Sequence, residues 1–268
     1  MKEYDVVVVG PISKDINVDY QGKEVVETGG AVVQSAAIAV AGGNKTAVLT
    51  TASEEDKTLC SVFCLPDEDI FFLNSKETTS IKNQYLSADM EKRVCTPLKR
   101  CDPFLLRDIP EFHTKLVHMA GLMSTDFNPE LIAGLGKKYT LAVDVQAFVR
   151  HVVNGKMQSR DWKEKKELIP YAAFLKADFA EAAILTGKED RYEAARQLSD
   201  WGAKEVMISH HSEMMIYAGK KFASYPVKAR NLSGRTGRGD TVFSAYITER
   251  LRESPENALL YATAAVSL

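Results

Sequence analysis

Residues 6–9 are an unbroken run of valines that stops at Gly10, the pattern of a strand buried on both faces in a parallel sheet. Residues 31–41 are nearly all small or apolar and predict a helix able to pack closely, and residues 46–51 predict the next strand. In the second half, residues 116–119, 141–145, 174–176 and 205–209 read as strands, and 129–138, 162–171, 179–185 and 191–201 as helices. Strands alternating with helices of this length imply βαβ units with right-handed crossovers. The fold class predicted is therefore α/β, a doubly wound, mostly parallel sheet flanked by helices. Residues 214–217 and 221–225 predict a hairpin around Ala218 and Gly219. In residues 241–251, Val242, Phe243, Tyr246, Ile247 and Leu251 recur at helical spacing, and residues 256–268 predict a last helix.

Two stretches break the alternation. Residues 18–27 carry Gly22 between two short polar-apolar runs and predict a small hairpin, and residues 69–98 hold several short strand-like runs without helices between them. Together they predict a small β lid, from about 17–28 and 69–98, on a single domain spanning 1–268. With Phe71 and Tyr85 near its unpaired edges, such a lid is expected to close over substrate or to form a homodimer.

Composition narrows the partners. The chain has 268 residues, is 45% hydrophobic and carries a net charge of -2, so it can bury a large core and presents no basic face for nucleic acid and no polybasic membrane anchor. Charges run up to a short apolar N-terminal stretch, and nowhere do eighteen apolar residues follow one another, so no membrane partner and a cytoplasmic location are expected. Cys60, Cys64, Cys95 and Cys101 form no C-x-x-C pair and are expected to be reduced; no zinc site is expected, and the adjacent His210 and His211 are expected to point apart. Gly43-Asn44-Lys45-Thr46 is not a P-loop, which needs Gly directly before Lys, and no dinucleotide fingerprint occurs. A small molecule is the expected partner.

The candidate chemistry lies at strand ends and helix starts. Asp15 and Asn17 leave the carboxyl end of the first strand, where open α/β sheets place ligands, and Gly29 and Gly30 open the next helix toward them. Asp144 and Gln146 follow one later strand, Asp178 and Glu181 the next. Gly237 and Gly239 flank Arg238 just before Asp240, and an amphipathic helix follows. Bare amides at a helix start bind an anion, and an ionised carboxylate beside them is suited to taking a proton from a hydroxyl. That pairing suggests phosphoryl transfer.

The run Thr236-Gly-Arg-Gly-Asp-Thr241 resembles the C-terminal signature of the ribokinase-like (PfkB) carbohydrate kinase family. The resemblance implies that the amides of Gly237, Arg238 and Gly239 form the anion hole and that Asp240 is the catalytic base. It also implies that Asp15, with Asn17, Gly29, Gly30, Gln34 and Tyr85, binds the acceptor, with Lys82 also facing substrate or a partner subunit. Gln34 stands where the family's G-G-x-x-x-N pattern has Asn, and Asp178-Phe-Ala-Glu181 stands where it has N-x-x-E. Glu181 is accordingly expected to organise magnesium through water, and Asp178, Ser209, His211 and Thr236 to meet the nucleotide. Arg238 replaces the usual small residue, Gly234 an Asp, Val242 an aromatic, and His211 and Met214 replace glycines, so the adenine and ribose contacts transfer least. Family members continue past the last helix to complete the nucleotide pocket, so a tail beyond residue 268 is expected. The implied activity is an ATP-dependent kinase, using ATP and Mg2+, acting on a hydroxyl of a sugar, polyol or nucleoside. The alternative is a ribokinase-like ligand sensor with weak or no activity.

Overall fold

The computed structural model describes residues 2–88, 92–228 and 237–267. In chain order the elements are β1 (Glu3–Val9), β2 (Ser13–Val18), β3 (Glu24–Gly29), α1 (Ala31–Ala41), β4 (Thr46–Ala52), β5 (Ile70–Asn74), β6 (Ser80–Tyr85), β7 (Arg93–Lys99), β8 (His113–Met119), α2 (Pro129–Lys138), β9 (Leu141–Asp144), α3 (Gln146–Val149), β10 (Arg150–Val153), β11 (Lys156–Ser159), α4 (Lys165–Leu168), β12 (Phe174–Asp178), α5 (Phe179–Thr186), α6 (Arg191–Asp200), β13 (Glu205–Ser209), β14 (Glu213–Ala218), β15 (Lys221–Pro226), α7 (Arg238–Glu249) and α8 (Pro255–Ser267).

Among the described residues the main sheet has nine strands in the order β15-β14-β13-β12-β9-β8-β1-β4-β5. Pairing from β13 through to β5 is parallel, and the β14–β15 hairpin adds an antiparallel edge. Both faces are covered, which is why the central strands read as continuous apolar runs. Val6 and Val8 of β1 face a core built with α1, α7 and α8, while Val7 and Val9 face another that takes in residues of α2, α5 and α6. After β4 and β5 the chain returns to the other side of β1 at β8, so the order reverses beside β1. A crevice at the carboxyl ends of strands flanking such a reversal is the usual ligand position in this class of sheet.

A second sheet, in the order β3-β2-β6-β7, stands over that end. Its strand β2 begins earlier than the sequence pattern suggested: Asp15 and Asn17 lie within β2 rather than in a loop leaving β1. Residues 70–74, expected in the lid, instead pair in parallel with β4 as the edge of the main sheet. An aromatic strand with one covered face serves an edge as well as a lid, and the alternation alone does not separate the two. The expected helix over 162–171 is a single turn, α4, followed by a 3-10 segment at Ile169–Tyr171, because Pro170 cannot continue an α-helical hydrogen-bond ladder. Besides the single-turn helix α3, the antiparallel pair β10–β11 was not foreseen. Its turn residues Asn154 and Gly155 both have positive φ, 50° and 73°, the conformation for which Asn-Gly is favoured.

Candidate active site

The cavity at the carboxyl end of the sheet has a volume of about 560 Å³ and is lined from both sheets and from α1 and α7. Its floor is the start of α7. Gly237 is the N-cap, at φ 83°, a left-handed conformation that glycine adopts without strain, and among the described residues no side chain caps the helix. The first intrahelical bond runs from the Thr241 amide to the Gly237 carbonyl at 2.8 Å, so the amides of Arg238, Gly239 and Asp240 precede it. The helix thus starts three residues earlier than its apolar spacing predicts, and Asp240 lies in its first turn. Gln34 of α1 packs against this N-cap, its Cγ 3.0 Å from where a Cβ on Gly237 would stand.

Beneath the amides lies a buried ion pair. Lys176, the middle residue of β12, donates from Nζ to Asp144 Oδ2 at 2.8 Å, and both side chains are shut off from solvent. The same Nζ lies 2.9 Å from the position a Cβ on Gly239 would take, so a side chain there would collide with the ammonium group. Asp144 is steadied by the Gln146 amide, which donates to Oδ1 at 3.1 Å, and Gln146 Nε2 donates to the Gly121 carbonyl at 2.8 Å. Burial would lower the proton affinity of Lys176, but the carboxylates of Asp144, Glu181 and Asp240 hold it above its ordinary value. His118, fully buried against Phe243 with ring centroids 5.1 Å apart, is driven down to about 3 by burial and by Lys176, and is neutral at physiological pH.

Asp178 and Glu181 form a reciprocal cap at the start of α5: Asp178 Oδ1 accepts from the Glu181 amide at 2.7 Å, and Glu181 Oε2 accepts from the Asp178 amide at 2.8 Å. Asp178 therefore does the ordinary work of an N-cap while also lining the cavity. Glu181 is buried, with Oε1 3.9 Å from Arg150 Nη2. Burial raises the Glu181 carboxyl above the usual range, only partly offset by Lys176. Burial, and then Asp144, likewise raise Asp240, against the pull of Lys176 and Arg150. The helix dipole, which favours the charged form, does not decide this group's proton affinity; desolvation does.

At the other end, Asp15, Gly29, Gly30 and Gln34 all line the cavity. The Asp15 carboxylate lies over Gly29, its Oδ2 2.4 Å from an imagined Cβ, so only glycine permits that placement. Asp15 Oδ1 is buried without a hydrogen-bond partner, and burial raises the carboxyl's proton affinity. Asn17 and Tyr85 are not in the lining; from β6 and β7 it is Ile81, Asn83, Arg93 and Cys95 that reach it. Tyr85 is buried within the second sheet. Ser209 and His211 also line the cavity, at the end of β13. His210 and His211 lie side by side, their rings tilted 50° with centroids 3.8 Å apart, instead of pointing apart, because they follow the end of β13 and strand alternation no longer applies. Thr236, and the departure at Gly234, lie outside the described residues.

The sequence reading missed Lys176 and Arg150 as site residues. A lysine inside the apolar strand Phe-Leu-Lys-Ala-Asp was the signal for the first, and the Asn-Gly turn that creates β10 was the signal for the second.

Helix-start amides, a buried carboxylate and a buried lysine at the carboxyl end of a doubly wound sheet fit a phosphotransferase. Residues 107–268 match the pfkB family of carbohydrate kinases. A solved pyrophosphate-dependent kinase in the ribokinase family, complexed with a pyrophosphate analog and myo-inositol, is 34% identical with a TM-score of 0.88, covering 98% of this chain and 93% of that one. A cytidine kinase of Thermococcus kodakarensis is 24% identical over 261 residues, 94% of this chain and 90% of that protein. Arabidopsis thaliana ribokinase, complexed with ribose and ATP, shares the fold at a TM-score of 0.78 and 17% identity, covering 100% of this chain and 92% of that one. The chain belongs to the pfkB carbohydrate kinase family and has the ribokinase-like fold.

Proposed function

We propose that this kinase transfers a phosphoryl group from inorganic pyrophosphate to a hydroxyl of a polyol of the myo-inositol type. The observation that carries the donor assignment is the set of cations gathered at the anion hole: Lys176 beneath Gly239, Arg150 beside Glu181, and Arg238 in the first turn of α7. A donor with no base or ribose must be held through its phosphates alone, and these groups supply that hold. The 34% identical pyrophosphate-dependent kinase supports the same choice. His211 and Met214, at positions where the family's nucleotide turn has glycine, weaken the case for ATP.

In this reading Asp240 accepts the proton of the acceptor hydroxyl as its oxygen attacks phosphorus. The bridging P–O bond of pyrophosphate breaks, orthophosphate leaves, and the proton passes from Asp240 to solvent or product. Lys176, Arg150 and the first-turn amides of α7 meet the charge that develops on the donor oxygens. Asp15 orients the acceptor. The family's magnesium fits the donor set, which is all oxygen: the four carboxylates Asp144, Asp178, Glu181 and Asp240 outnumber the three cations Lys176, Arg150 and Arg238 among the described residues around them, so a polyphosphate enters most readily with a divalent cation. Glu181, with Asp178, would hold magnesium through water, and the ion would supply neutralisation of phosphate charge.

The test is a magnesium-dependent assay pairing pyrophosphate or ATP with myo-inositol, ribose and cytidine. Turnover of pyrophosphate with myo-inositol is expected. Turnover with ATP alone would restore the nucleotide-dependent reading, and acceptor binding without turnover of either donor would favour a ligand sensor. The second sheet is further proposed to act as a lid and as the contact of a homodimer.

A further inference from the structure

On the inner face of the second sheet, four side chains touch in a line that crosses all four strands. Register places Asn17 opposite Asn83 and Asn83 opposite Cys95, with Glu27 one diagonal step from Asn17. Cys95 Sγ donates to Asn83 Oδ1 at 3.3 Å, Asn83 Nδ2 donates to Asn17 Oδ1 at 3.1 Å, and Asn17 Nδ2 donates to Glu27 Oε2 at 2.7 Å. Asn83 is only 4% exposed, and it and Cys95 line the cavity, whereas Glu27 is on the surface.

The direction of this line follows from its outer end. A carboxamide can present either its oxygen or its nitrogen to a neighbour, but an ionised carboxylate only accepts. Glu27 therefore turns the Asn17 nitrogen outward and its oxygen toward Asn83. Asn83 must then spend its nitrogen on Asn17 and offer its oxygen to Cys95 and the cavity. We propose that Glu27, acting through Asn17, is a positioning residue that fixes the orientation of the Asn83 amide, so that the lid selects an acceptor offering hydroxyl donors. Asp15 Oδ1, buried without a partner, makes the same demand from β2. The inference rests on reading this end of the cavity as the acceptor site, and it names what Asn83 and Asp15 require there: the hydroxyl donors of a polyol.

The test has an arm that does not depend on turnover. In protein with the exposed Cys64 replaced by Ser, Cys60 and Cys101 are buried, so a thiol reagent reports on Cys95. Glu27→Lys supplies a group that only donates, which turns Asn17 and then Asn83 around and aims the Asn83 nitrogen at Cys95. That hydrogen bond favours the reactive thiolate, so Cys95 should be modified several-fold faster at a fixed pH. The gain should persist at 1 M salt, where exposed charges are screened beyond about 3 Å. In Glu27→Lys/Asn17→Asp, a carboxylate again accepts from Asn83, and the parental rate should return. With pyrophosphate, magnesium and myo-inositol, Glu27→Lys should raise the KM for myo-inositol about tenfold, the scale of one net hydrogen bond, leave the KM for pyrophosphate in place, and be rescued by the same second change. Equal Cys95 rates in parent and Glu27→Lys, or no rescue by Asn17→Asp, would overturn the proposal. A parent that turns over neither donor with any acceptor would remove the function proposed above, and the thiol rates would still decide the orientation of Asn83.

Discussion

Asp240 sits among charges that pull its proton affinity in both directions, and burial with Asp144 wins over Lys176 and Arg150. A base works only when unprotonated, so activity should fall on the acid side at a pH above the ordinary carboxylate range of about 4. A pH profile of kcat/KM whose acid limb lay at or below that range would contradict the placement of this carboxylate. The same shift has a stability consequence. The folded state holds the Asp240 proton more tightly than the unfolded chain does, so the cost of its charge is absent below the ordinary range and grows as pH rises to the raised value. Asp240→Asn should therefore lower kcat by about 10² to 10⁴-fold, the usual loss for a general base, while Tm at neutral pH stays level or rises. Near-parental kcat in that variant would make Asp240 a mere first-turn residue. Lys176 gives the opposite stability sign. Lys176→Met strands the Asp144 carboxylate in the interior and should cost about 3–5 kcal/mol by denaturant titration, and Lys176→Met/Asp144→Asn should recover much of that without recovering pyrophosphate affinity. Recovery of both would reduce Lys176 to a structural counterion.

The elements explain which of these residues were legible beforehand. Periodicity located β13, α1 and α2 because each has one unambiguous pattern and, for α2, end signals: Asn128 caps it, Pro129 opens it and Lys137 and Lys138 close it. Gly237, Gly239 and Asp240 were legible because a glycine turn ahead of a helix carries its own chemistry. Arg150 was not, because it owes its position to β10–β11, whose Asn154-Gly155 turn is the local signal and whose strands are too short to show alternation. Asn83 and Cys95 were missed for another reason: which face of a strand looks into a cavity is set by pairing with β2, a contact between residues far apart in sequence. The N-terminus of α7 yields an element-scale prediction. Gly237→Ala places a Cβ at φ 83° and within 3.0 Å of Gln34 Cγ, so it should destabilise the chain by about 1–2 kcal/mol and raise the donor KM as the first turn shifts. An unchanged donor KM would show that the α7 amides do not hold the donor.

At the scale of the molecule, the proposed function divides the work between the two sheets: the main sheet would fix the ion pair, the base and the anion hole, and the second sheet would bring the acceptor contacts over them. That second sheet has one face committed to the cavity and another turned outward, where Val26 is 54% exposed, Val94 46% and Leu98 48%. Its outermost strands β3 and β7 leave backbone groups along two edges. A small sheet with exposed apolar side chains on its outer face and open edges is stabilised by pairing with a like surface, and we propose a second copy of the chain as that partner. Such a contact also holds the four strands in one arrangement, so that Asn83 and Asp15 meet the acceptor without an ordering cost at each turnover. The dimer should appear in light scattering as a mass near twice 29.7 kDa that falls on dilution. Val26→Lys with Leu98→Glu, which charges the outer face and touches neither Lys176 nor Asp240, should leave a folded monomer with a raised acceptor KM and an unmoved donor KM. A parent that scatters as a monomer at every concentration would remove the dimer. A monomeric variant with parental acceptor KM would show that the lid holds its shape unaided.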